Sequence, residues 1–172
     1  MKKYTFPRKM TVRQMQVGAA LCLWKFCLTM KINHTSIDEL LCHLFSVATA
    51  EDLAEWDTRG SLLAVTGRGD PIPEIVLKAV PEEHVDSFQR LLESCVEVGI
   101  VDLYGASTGL PAKFFGDCIR TLQREHVEVP NMAAIQEYCK GAEPWGEPVQ
   151  CEELNLLLRN MGYRHPDNPE TA

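Results

Sequence analysis

Along most of this chain apolar residues recur at steps of three and four, the spacing of helices with one face turned to a core. The strongest run covers residues 11–30. Val12, Met15, Ala19, Leu23, Phe26 and Met30 share one face, and Val17, Leu21, Trp24 and Leu28 share its neighbour. From Val17 onward the segment is apolar nearly all round, so it reads as a central, heavily buried helix capped by Thr11. Residues 32–34 break it. Ser36 and Glu39 have the spacing of a capping box for a second helix through Ile37, Leu40, Leu41, Leu44 and Phe45. Thr49 with Asp52 is expected to open a third, through Leu53 and Trp56 to about Asp57.

The clearest local architecture is residues 82–123. Pro81 and the acids Glu82 and Glu83 suit a helix start. Val85, Phe88, Leu91, Leu92, Cys95, Val96 and Val98 then form a stripe, and Gly99 reads as the stop. Ile100, Val101, Leu103 and Tyr104, rich in β-branched and aromatic side chains, predict a short extended link. In such a strand Asp102 and Tyr104 project to the same side. Ser107 or Thr108 caps the next helix, Pro111 sits in its first turn, and Leu110, Phe114, Phe115, Cys118, Ile119 and Leu122 form its stripe.

Residues 58–81 are punctuated by Gly60, Gly67, Gly69, Pro71 and Pro73. Residues 62–66 and 75–80 are expected to pair as a hairpin across GRGDPIP, with helical turns as the alternative. Beyond the central unit, Asn131 caps a helix through Met132, Ile135, Tyr138 and Cys139. A loop then places Trp145 between two prolines, and a last helix runs from Cys151 to Met161. The lead-in, residues 1–10, and the polar tail, residues 163–172, are expected to be flexible. The fold class is therefore mainly α: a compact single-domain bundle of six or seven helices over residues 1–172, with at most a small β hairpin or short strand.

Charge adds an asymmetry. The formal net charge is −7, which argues against nucleic acid as a whole-surface partner. Lys2, Lys3, Arg8, Lys9, Arg13, Lys25 and Lys31 all precede the first acid, Asp38, so residues 1–37 carry +7 and the remainder −14. Such a segment is expected to lie against its own acidic body, with an arm meeting an acidic partner or anionic lipid as the alternative. The seven cysteines are odd in number, form no C-x-x-C, and fall largely on apolar stripes. They are expected to remain thiols, the usage of a reducing, cytoplasmic compartment. No apolar run reaches the ~20 residues of a membrane span. The basic opening followed by VGAALCLW resembles a signal peptide, but Lys25 interrupts it, and it reads as part of the mature first helix.

Most chemical templates fail. GRGDP contains the tripeptide Arg68-Gly69-Asp70, for which turn chemistry is the simpler reading. GASTGLPAK, residues 105–113, has the wrong spacing for a phosphate loop, since Lys113 does not follow the second glycine. It reads as a capped helix start. Cys42 and His43 are adjacent and point about 100° apart on a helix, and no H-E-x-x-H occurs, so neither a metal nor a cofactor is expected. No cysteine carries a recognisable nucleophile signature, and there is no G-x-S-x-G.

The functional expectation is a non-catalytic cytosolic protein-interaction module, an acidic neutraliser or adaptor with a protein partner. Trp56, Trp145 and Tyr104 are its exposed aromatic candidates. Asp102, Tyr104, Ser107, Thr108, Lys113 and Trp145 are the candidate binding residues. The alternative is an enzyme using Asp102, Tyr104, Ser107 and Lys113, which requires those side chains to converge on a pocket.

Overall fold

The computed structural model describes residues 9–141 and 144–166; most of the basic lead-in, loop positions 142 and 143, and the tail from 167 lie outside the described residues. Helix α1 (Val12–Met30) starts where the cap is expected. Thr11 Oγ1 accepts from the Gln14 N–H at 3.3 Å, and Gln14 Oε1 accepts from the Thr11 N–H at 2.9 Å. This reciprocal box satisfies two donors that the helix itself leaves unpaired. Every residue from Val12 to Leu23 is buried, because α2 (Thr35–Ser46), α5 (Val85–Ile100) and α6 (Leu110–Arg124) pack around the helix. Beyond Cys27 the burial ends, and Leu28 is exposed.

Burial on all sides encloses three polar side chains, Arg13, Gln14 and Gln16. Each is held by backbone carbonyls, as buried polar groups must be. Arg13 donates to Gly146 O at 3.1 Å, to Ala50 O at 2.8 Å, and to Val47 O. Gln14 Nε2 donates to Gln136 O and Tyr138 O, and Gln16 Nε2 to Cys95 O at 2.9 Å. Arg13 is thus interior, not part of a basic arm. Lys25 meets Glu128 at 3.7 Å, an ion pair with the acidic body.

Several local expectations are corrected. In α2 the cap is His34, whose Nδ1 accepts from the Ser36 N–H at 3.1 Å, so the Ser36–Glu39 box is not the start. Helix α3 (Leu53–Ser61) opens on Asp52, not Thr49, and runs a turn past Asp57. Thr49 instead donates to Ser46 O at 3.1 Å. The expected hairpin does not form, and no strand occurs among the described residues. Gly67 and Gly69 turn the chain at φ of 64° and 86°, and residues 74–77 form the single helical turn α4 (Glu74–Leu77). Arg68 fastens this loop to α3 through Asp57, and Asp70 accepts from Thr66 Oγ1 at 2.7 Å. The GRGDP stretch is therefore a tied-down turn.

A 3₁₀ turn, Glu82–His84, leads into α5. Gly99 is not its stop. The helix continues through it to Ile100, and a methyl group there would stand 2.8 Å from Trp56 Cη2 and closer still to Gln16 Oε1. Glycine lets α1, α3 and α5 approach at this point. Helix α7 is one turn, Met132–Ile135, capped by Asn131 as expected but far shorter. The carbonyls that would continue it turn toward α1: Gln14 takes those of Gln136 and Tyr138, and Thr11 Oγ1 donates to Cys139 O. Helix α8 (Cys151–Asn160) buries Leu154, Leu157 and Leu158. Tyr163 follows, buried against Trp24 and Phe45. Among the described residues one core draws side chains from all eight α-helices. All seven cysteines are outside disulfides, and only Cys42 and Cys151 are not buried.

Candidate functional site

The link between α5 and α6 is helical turn, not strand, so the expected two-sided alternation is absent and its polar residues part company. Asp102 turns inward and is buried. Its Oδ2 accepts from the Thr108 N–H at 2.6 Å and its Oδ1 from Thr108 Oγ1 at 2.7 Å. Thr108 Oγ1 in turn accepts from the Leu110 N–H at 3.0 Å, one of the orphan donors of α6. Asp102 and Thr108 together close the link and start α6.

Tyr104 turns outward. The residue is 73% exposed, while its hydroxyl donates to Asp57 Oδ2 at 2.9 Å. That bond to Asp57 is the chief reason the phenol titrates above its ordinary value. Asp57 itself is fixed from the other side, its Oδ1 accepting from the Arg68 guanidinium. The aromatic ring is therefore positioned by a chain running from the 62–73 loop through α3 to the end of α5.

An open cleft of about 650 Å³ lies where α2 turns into α3, lined by His43, Glu51, Asp52, Glu55 and Arg59 among others. His43 stacks on Trp56 with ring centroids 4.7 Å apart and planes at 11°. Burial, then the neighbouring Arg68 and Arg59, lower the imidazole to about 4, so it is neutral at pH 7. Trp56, expected at the surface, is fully buried, and its Nε1–H donates to His43 O at 2.9 Å. It is the floor of this region rather than part of its face.

The remaining candidates lie apart. Ser107 is exposed on the link. Lys113 is exposed on α6, its ammonium 6.0 Å from the Phe114 ring. Trp145 is half-buried against the core, and its loop docks on the start of α1 through Val12 N–H to Pro144 O and Arg13 N–H to Trp145 O. Neither the 650 Å³ cleft nor a second cleft of about 490 Å³ is lined by Asp102, Tyr104, Ser107 or Lys113. The sequence points to Tyr104 but not to its partnership with Asp57, His43 and Arg68, which come from other segments at no fixed spacing from it. Among the described residues no three His, Cys, Asp or Glu side chains are grouped to hold a metal ion, and no helix is long and apolar enough to cross a membrane.

No family model, curated protein or solved structure matches this chain.

Proposed function

We propose that this protein is a non-catalytic interaction module that binds a basic protein surface, with Tyr104 as the anchor of its contact face. The observation that carries the reading is a tyrosine 73% exposed yet held in place by its own hydroxyl. A side chain already ordered loses less entropy on binding, and tyrosine is favoured at the centre of protein interfaces. The charge around it supports the class of partner. Glu51, Asp52, Glu55 and Asp57 stand against Arg59 and Arg68, and both arginines are engaged with acids of α3. The formal net charge of −7 would steer a cationic partner toward the molecule. A reducing, cytoplasmic setting is supported by seven cysteines outside disulfides.

The test compares capture from a lysate of the native host by wild type, by Tyr104→Ala/Asp52→Asn/Glu55→Gln, and by Glu128→Gln. The last removes one exposed acid at the distant Lys25 contact. The expected result is a basic protein retained by wild type and Glu128→Gln, released by added salt, and lost from the triple variant with its melting curve unchanged. A captured protein that the triple variant retains, or one whose binding ignores salt, would overturn the reading.

A further inference from the structure

Five of the seven cysteines are buried in the core, where a thiol is shielded from reagents. Burial holds the thiols of Cys27 and Cys139 up at about 12 and about 11, and pushes Cys22 and Cys95 well above their ordinary value. Cys42 is different. It lies half-buried on α2, and its Sγ is 2.8 Å from Nε2 of His165. The two come from segments 123 positions apart. Their meeting is built by Tyr163. This buried ring packs edge-on to Trp24 at 5.6 Å and against Phe45 at 4.7 Å, and so docks the chain beyond α8 on α1 and α2. Its hydroxyl lies 3.8 Å from the same sulfur. Burial first, and then Cys42 itself, raise this phenol, so it stays protonated and can donate to a thiolate.

A cleft of about 490 Å³, within the usual size of a small-molecule site, lies between α1, α2 and the chain beyond α8, although neither Cys42 nor His165 lines it. Its lining includes Pro166, directly after His165, and Asp38 and Leu41, on the same helix as Cys42. Trp24 and Leu28 give it apolar surface, Lys31 gives it a cation and Asp38 a carboxylate. We propose that Cys42 is a thiolation site for a low-molecular-weight disulfide, with His165 as its base. His165 Nε2 takes the thiol proton, and the thiolate attacks one sulfur of R–S–S–R. The bond between Cys42 Sγ and that sulfur forms as the old S–S bond breaks. The departing RS⁻ recovers the proton from His165. Cys42 is oxidised, the leaving thiol is the reduced product, and the disulfide is the only oxidant required. The site is independent of the Tyr104 face, since Cys42 faces the segment after α8 while the adjacent His43 faces Trp56.

The chain contains its own control. Cys151 is exposed at the start of α8, and among the described residues no histidine bonds its sulfur. Full-length protein is incubated with glutathione disulfide at neutral pH, quenched with an alkylating reagent at intervals, and mapped by peptide mass. Cys42 is expected to form the mixed disulfide about tenfold faster than the more exposed Cys151, because the thiolate is the reacting species. His165→Gln is expected to remove that advantage while Cys151 keeps its rate. If the imidazole merely shields the sulfur, the same variant leaves the Cys42 rate unchanged or raises it, and the proposal fails. It fails equally if Cys42 in wild type reacts no faster than Cys151. Should His165→Gln loosen the fold, the five buried thiols will react in the same map, and the wild-type comparison still decides.

Discussion

Replacing Gly99 by alanine sets two physical effects against each other. Gly99 lies within α5, and alanine is the better helix former by about 1 kcal/mol. On propensity alone Gly99→Ala is stabilising. Packing opposes it. The new methyl carbon would lie 2.8 Å from Trp56 Cη2, where carbon atoms prefer about 3.5–4.0 Å, and it would press still harder on Gln16 Oε1. Neither neighbour is easily moved. Trp56 is fully buried, stacked on His43 and bonded through its Nε1. Gln16 is fully buried, with its Nε2 on Cys95 O; turning it aside forfeits a bond worth about 1 kcal/mol. Overpacking of this kind costs about 1–3 kcal/mol, and the lost bond adds to it. Less the propensity gain, the expected net destabilisation is about 1–3 kcal/mol. For a chain of this size that lowers the melting temperature by about 2–4 °C per kcal/mol. Denaturant melts followed by circular dichroism, with tryptophan fluorescence as a second probe at Trp56, measure both. A variant as stable as wild type or more so would refute the reasoning, and would mean that α1, α3 and α5 do not meet at this glycine.

Leu23→Ala or Phe26→Ala in α1, both fully buried, should each cost about 2–5 kcal/mol in the same melts, and a loss below about half a kcal/mol in both would show α1 to be peripheral. Asp102→Ala should destabilise by about 1–2 kcal/mol, because the Thr108 N–H and hydroxyl lose their acceptor and Thr108 is no longer held at the start of α6, whereas Tyr104→Ala should leave the midpoint nearly unchanged; equal effects would contradict the division of the link into an inward and an outward residue. His43 titrates at about 4 in the fold against an ordinary 6.5, so the unfolded chain binds more protons between these values. Its contribution is complete above about pH 6.5 and is lost as pH falls toward 4. His43→Phe, which keeps a ring on Trp56, should flatten the fall in denaturation midpoint over that window, and identical slopes for variant and wild type would rule the account out.

Helix content and the central position of α1 follow from the sequence itself. A 3.6-residue period and an all-round apolar run are local properties, and so are Thr11 and Asn131 as side-chain caps, since the cap and the N–H that donates to it stand two or three residues apart. What failed to be legible depends on neighbours distant in the chain. Gly99 has the look of a helix stop, and only the approach of Trp56 and Gln16 makes it an interior contact. Arg13, Gln14 and Gln16 look like a wet face, yet carbonyls from residues 47–50, 95 and 136–146 replace water around them. The apolar pattern of residues 75–80 allows strand or helix equally, and only Val76 and Val80 find the core. The same limit governs the sites. Tyr104 and Cys42 are single letters until folding brings Asp57 to one and His165 to the other, because a hydrogen bond across forty-seven or more positions leaves no spacing to read.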